Sequence, residues 1–251
     1  MKPERSYTIW FSQRTGGSLL CKALGSTGVA GKLDEWLLPE NLMEHYGAKG
    51  YAELQEHLWN LGSTPNRVFG AKYSFHEPHF SRTLNTFEMF PNSSESIPGM
   101  PRALLWERAF PNGRHIFMTR RNKVRLAVSW WKAIQTDEWQ RKTGEIPKAT
   151  ESAEAYSFDA IHHLCCESVM RECGIQEFLS EAGIIPLTVA YEDLVLDYEG
   201  TVKRILEYLE IDWGRVTIAP PYFDRLTDDV SENWTARFRE EQQQGWMNRG
   251  W

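Results

Sequence analysis

Apolar and polar positions along this chain follow two rhythms. Four short runs, residues 7–12, 67–73, 114–119 and 185–191, are rich in Val, Ile, Phe or Tyr with little alternation. Runs of that kind read as strands buried on both faces. Between them, apolar residues recur at helical spacing over 19–25, 51–61, 123–139, about 152–182 and 200–209. The alternation predicts a single α/β domain spanning residues 1–251, a central parallel sheet with helices on both faces. Two polar, turn-rich stretches, "FPNSSESIPGMP" (90–101) and "KTGEIPKATES" (142–152), are expected to be exposed loops. In sheets of this type the ligand lies outside the carboxyl ends of the strands. The segment leaving the first strand, "SQRTGGSLL" (12–20), is therefore the first place to look for chemistry.

Composition narrows the classes. With 41% hydrophobic and 25% charged residues the chain reads as an ordinary globular protein. A formal charge of −6 argues against a nucleic-acid binder, so any polyanion must be held by a local basic site. The apolar runs are too short to span a membrane. The start "MKPERSYTIWF" lacks a signal-peptide pattern, and a cytoplasmic location is expected. The four cysteines (Cys21, Cys165, Cys166, Cys173) have no framework spacing. His162 and Cys166 would share a helix face, but two further zinc ligands are missing; no metal is expected, and the thiols read as small buried groups. Eleven tryptophans are many for this length. Core packing accounts for most, and a few exposed rings could stack on a sugar or an adenine.

The stretch "YTIWFSQRTGGSLL" offers a strand, a glycine turn and a helix start, which together cradle an anion. The common phosphate loop places a lysine before its Ser or Thr. Here Gly17 precedes Ser18, and the only cation, Arg14, comes at the beginning. By itself this is a weak signal, because glycine turns also open helices for structural reasons. A second feature strengthens it: "HIFMTRRNKVRLAVSWWKAIQT" puts Arg120 at a strand end and Ser129 in the following helix. An arginine and a hydroxyl so placed can converge on one anion. The plainer reading makes Arg120 or Arg121 a solvated cation and Ser129 an ordinary helix residue. Two such sites at two strand ends suit a ligand with two separated anionic groups.

These segments, together with "VAYEDLVLDYEGTVKRILEYLEI", resemble the sulfotransferases that use 3′-phosphoadenosine-5′-phosphosulfate (PAPS), with their P-loop-like fold. The bacterial branch typified by trehalose 2-sulfotransferase is similar in its "SQR(S/T)G" opening and in the "GVAG" that precedes an acidic residue, as in "GVAGKLDEW" here. The resemblance runs from Tyr7 to "SENW…R" near 231–237. It implies that Arg14, Thr15, Gly16, Gly17, Ser18 and Leu19 grip the 5′-phosphosulfate, while Arg120 and Ser129 hold the 3′-phosphate. The absent lysine then fits a donor with no β,γ-phosphate chain and no obligatory magnesium. Glu35 matches the catalytic glutamate of that branch, with a solvated acidic turn at Asp34 and Glu35 as the plainer alternative. His76 and His79 are alternative bases, since other sulfotransferases use a histidine. Lys72, in "FGAKYSF", matches a lysine of the branch and could reach donor or acceptor, or be a surface lysine; His76 and Asp34 are also placed near the acceptor. There are departures: Gly17 stands where a hydroxyl residue is more usual, and Lys32 and Asp34 replace an acidic residue and an amide, which argues against trehalose itself.

The expected reaction is sulfuryl transfer from PAPS to a hydroxyl, on a carbohydrate or a glycolipid, leaving 3′,5′-ADP. A nucleotide-dependent kinase is the first rival, but it needs the missing lysine. A non-catalytic nucleotide-binding protein is the second, and the presence of Glu35 speaks against it. The expected partners are the small-molecule or glycolipid acceptor and, at most, a second copy of the chain, with no nucleic acid and no transmembrane segment.

Overall fold

The computed structural model describes residues 1–91, 101–146, 155–248 and 250. Most of the predicted loop at 90–101, and the end of the one at 142–152, lie outside them. Four strands form one parallel sheet in the order β2-β1-β3-β4: β1 Arg5–Phe11, β2 Val68–Ser74, β3 Gly113–Thr119 and β4 Leu187–Ala190. β1 is central, pairing from Arg5↔Val68 to Phe11↔Ser74 on one side and from Ser6↔Gly113 to Phe11↔Met118 on the other.

Burial of β1 on both faces explains its unbroken apolar run. Because side chains alternate along a strand, Tyr7, Ile9 and Phe11 enter one core while Trp10 enters another. The first core lies under α1 (Gly17–Ser26), α8 (Tyr191–Leu196) and α9 (Tyr198–Tyr208). The second lies under α3 (Tyr51–Gly62), α4 (His79–Glu88), α5 (Arg102–Ala109) and α7 (Phe158–Glu181). The second core absorbs Trp10, Trp59 and Trp106, with Trp10 Nε1 donating to His115 Nδ1 (2.9 Å) and Trp106 Nε1 to Thr8 Oγ1 (2.9 Å). A third core joins α6 (Lys123–Thr136), α7 and α10 (Asp229–Gln242) around Leu126, Ile161, Trp234 and Phe238. Among the described residues no helix is long and apolar enough to cross a membrane.

Several sequence expectations need correction. The last strand is only Leu187–Ala190, and Tyr191 already begins α8. Pro186 can donate no ladder hydrogen bond and Ile185 is exposed, so pairing starts late. The helix expected to reach 139 ends at Thr136, where Asp137 takes the left-handed conformation. The long helix starts at Phe158, capped by the Ser157 hydroxyl accepting from the Ala160 amide. Cys166 and Cys173 are exposed on α7, so only Cys21 behaves as a buried thiol. The helices α4, α5, α8 and α10, and the short α2 (Leu42–Tyr46), were not anticipated.

Candidate active site

A cleft of about 630 Å³ opens at the carboxyl ends of the strands. Its floor begins where β1 ends. Arg14 and Gly16 take left-handed backbone angles (φ 64° and 89°), which turns the chain sharply from strand to helix. Gly16 must be glycine for a second reason: a Cβ there would meet the Tyr191 ring at 2.7 Å. Gly17 opens α1, and the first N–H groups of a helix have no acceptor within it. They present partial positive charge to the cleft, reinforced by the helix dipole.

Two guanidinium groups stand over this turn. Arg14 Nε donates to Ser129 Oγ (3.0 Å), and its NH1 donates to the Trp139 carbonyl. Arg120 NH1 reaches only the Arg14 carbonyl, at 3.4 Å, while its Nε is buried without a hydrogen-bond partner. Its guanidinium lies 4.6 Å from the centre of the Tyr191 ring. Neighbouring arginines are neutralised: Arg121 by Asp193, Arg125 by Glu232 and Arg141 by Glu138. Arg14 and Arg120 form no ion pair among the described residues. Burial, and then repulsion from Arg120, lowers Arg14 to about 10, and burial likewise lowers Arg120. Two desolvated cations, with an orphaned N–H between them and a helix N-terminus, make a site that an anion completes. The structure also decides between Arg120 and Arg121: the latter is the solvated surface cation.

The other wall comes from β2 and from the segment after α1. Gly31 (φ 73°) brings that segment onto the edge of β2 so tightly that a Cβ would lie 2.6 Å from the Gly70 nitrogen. The Lys72 N–H then donates to the Asp34 carbonyl (3.1 Å), and Trp36 Nε1 donates to the carbonyls of Lys32 and Gly70. Glu35 is thereby held beside Lys72, with Oε2 and Nζ 3.8 Å apart. The same ammonium donates to Ser18 Oγ (3.3 Å), which also accepts from Gln140 Nε2 (3.0 Å). Thus a carboxylate, an ammonium and the start of α1 meet in one place.

The Stf0 sulphotransferase family matches residues 6–241. The chain belongs to that family. A trehalose 2-sulfotransferase of Mycobacterium tuberculosis (strain ATCC 35801 / TMC 107 / Erdman) is 24% identical, over 94% of this chain and 95% of that one. One from Mycolicibacterium smegmatis (strain ATCC 700084 / mc(2)155) is 26% identical, over 95% and 96%. Among solved structures, a sulfotransferase from Alicyclobacillus acidocaldarius covers 94% of this chain and 91% of its own, with TM-score 0.47 and 13% identity.

On this sulphotransferase scaffold the cleft gathers most of the residues singled out from the sequence. Arg14, Gly16, Gly17, Ser18, Leu19, Glu35, Lys72, His76, Arg120 and Ser129 all line it. Two do not. The Thr15 hydroxyl is buried and donates to the Ser12 carbonyl (2.8 Å), stiffening the turn from behind. Asp34 is exposed, and its carboxylate accepts from the Glu35 amide (2.8 Å). That hydrogen bond shapes the turn that carries Glu35. Lys32 is exposed as well and does not line the cleft. His79 is no candidate base: Nδ1 is engaged by the Tyr73 hydroxyl (2.8 Å) and Nε2 by the Leu38 carbonyl (3.1 Å), inside the core. His76 does face the cleft, its Nδ1 bonded to the Ser74 carbonyl (3.1 Å).

Sequence reasoning missed Gln13, Ser74, Tyr191, Trp139 to Arg141 and a wall from Pro221 to Thr235. The proline pair in "APPYFDRLTDD" and the aspartate before α10 were the available signals for that wall, since they mark an irregular segment ending in a helix cap. Among the described residues no group of three or more His, Cys, Asp or Glu is placed to hold a metal ion.

The electrostatics of Glu35 yield a pH prediction. Burial, the largest influence, raises its carboxyl above the ordinary glutamate range, and Lys72 pulls it back down. A base works in its ionised form, so activity should fall as pH drops through this raised value. Lys72→Met removes the downward pull, and the acidic limb of kcat/KM should move to higher pH. A pH–rate profile of both proteins checks this; a limb that stays put or moves down rejects Glu35 as the titrating base.

Proposed function

We propose that this enzyme transfers the sulfuryl group of PAPS to a hydroxyl of a carbohydrate, free or on a glycolipid. The observation that carries the reading is the meeting, in one cleft, of two guanidinium groups that form no ion pair among the described residues with a carboxylate whose affinity for protons is raised by burial. PAPS, when bound, supplies an activated sulfuryl group attached to a phosphate that departs as part of 3′,5′-ADP. Arg14, Gly16 to Leu19 and the amides opening α1 suit the 5′ end of such a donor, and Arg120 with Ser129 suits its 3′-phosphate. The Arg120 Nε, buried without a partner, is the donor group that a phosphate oxygen would satisfy.

Glu35 takes the proton from the acceptor hydroxyl as its oxygen becomes a nucleophile. Lys72 and the amides of α1 stabilise negative charge developing on the leaving side. The sugar acceptor rests on the relatives, two of which are named for sulfation of trehalose. Because the anion site is built from arginines, hydroxyls and amides, turnover is expected to persist in excess EDTA. Loss of turnover that magnesium restores would favour metal-assisted phosphoryl chemistry instead. Radiolabelled PAPS offered with a panel of sugars and glycolipids tests the whole reading, and absence of transfer to every member of the panel would reject it.

A further inference from the structure

A second polar chain reaches the cleft from behind the sheet. Arg171, on α7, is fixed by Glu167, whose carboxylate accepts from Nε at 2.7 Å, and lies 5.3 Å from the Trp130 ring centre. Its NH1 donates to Gln13 Oε1 (2.6 Å) and, at 3.4 Å, to Ser74 Oγ. Gln13 Nε2 in turn donates to Ser74 Oγ (2.7 Å). A guanidinium can only donate, so Arg171 locks the Gln13 amide with its oxygen toward α7 and its NH₂ toward Ser74. Ser74 then receives two donors on its oxygen and must spend its own proton elsewhere. Among the described residues nothing accepts that proton, yet both Gln13 and Ser74 line the cleft. Lys72 and Ser74 project from the same face of β2, two positions apart, and both line the cleft that holds Glu35.

We propose that Ser74, set as an obligate hydrogen-bond donor by Gln13 and Arg171, holds a second oxygen of the acceptor sugar, a neighbouring hydroxyl, and so selects polyol acceptors over simple alcohols. The inference rests on the sugar-hydroxyl reading above. Ser74 touches the acceptor; Gln13 and Arg171 are positioning residues that act through it.

The test uses the full chain saturated with 3′,5′-ADP, titrated calorimetrically with trehalose and with octyl glucoside and its monodeoxy derivatives. Transfer from radiolabelled PAPS is measured in parallel. Ser74→Ala should weaken glucoside binding and raise the acceptor KM about tenfold, with donor KM and 3′,5′-ADP affinity unchanged. Ser74→Thr, which keeps the hydroxyl, should restore both. One monodeoxy derivative should bind the wild type about as weakly as the parent glucoside binds Ser74→Ala, and lose nothing more in that variant. Arg171→Met frees the amide to turn and should reproduce the Ser74→Ala loss, the double variant being no worse than either single one. Equal losses with every derivative, a matching loss of 3′,5′-ADP affinity, unchanged binding in Ser74→Ala, or no binding of either sugar would overturn the subsite. Transfer that is indifferent to Ser74 rejects the subsite alone. Sugar binding that responds to Ser74 without any transfer rejects the proposed reaction and leaves the subsite standing.

Discussion

Glu35→Gln should lower kcat by roughly 10²–10⁴-fold while leaving the affinity for 3′,5′-ADP nearly unchanged. The substitution keeps the shape of the side chain and its capacity to accept from Lys72, but removes the ability to take a proton. The neighbourhood supports an effect of this size: Glu35 lies beside the Lys72 ammonium, on a segment clamped to β2 through Gly31, Asp34 and Trp36, so its carboxylate is held in one position. His76 is the competing base, because it also lines the cleft. His76→Ala should therefore reduce kcat far less than Glu35→Gln. Steady-state kinetics on an active acceptor, with nucleotide affinity measured by calorimetry, separates the cases. Near-normal turnover in Glu35→Gln would pass the role to His76.

Arg120→Met should abolish discrimination between 3′,5′-ADP and 5′-AMP. The wild type is expected to prefer 3′,5′-ADP by about thirty- to one-hundredfold, the roughly 2–3 kcal/mol that charge-assisted hydrogen bonds to a phosphate contribute. Arg120 is well suited to supply this, since it is already desolvated, held over Tyr191 and short of partners. Arg120 is buried and forms no ion pair among the described residues, so the nucleotide-free protein should not lose thermal stability in Arg120→Met, because a buried cation lacking a direct partner costs free energy. That separates loss of binding from loss of fold. Calorimetric titration with both nucleotides gives the answer. If both affinities fall by the same factor, Arg120 serves the common 5′ group and the 3′ subsite lies elsewhere.

The periodicity of the chain alone determined that there are four strands among the described residues and roughly where they lie, though not where the last one starts and ends, because a strand buried on both faces cannot hide its apolar run: "YTIWF" and "HIFM" are legible wherever they pack. It also located the two strand-to-helix turns, since "QRTGGS" and "TRRN" join a strand to a helix over a few residues, and local geometry leaves little choice about where those residues go. The strand order, and everything that meets across it, was decided by tertiary packing. "RR" at 120–121 does not say which guanidinium faces the cleft; the Arg121–Asp193 pair and the Tyr191 ring do. Nothing near Glu35 in sequence reveals Lys72, and only the close approach permitted by Gly31 brings them together. His79 looks like a base in "FHEPHF" until the Tyr73 and Leu38 contacts place it in the core. The donor role of Ser74 depends on Arg171, a helix residue remote in sequence whose direction is set by Glu167 and Trp130. Hydrophobic period reports which side of an element is buried; what a polar side chain meets there is fixed only by how the elements pack against one another.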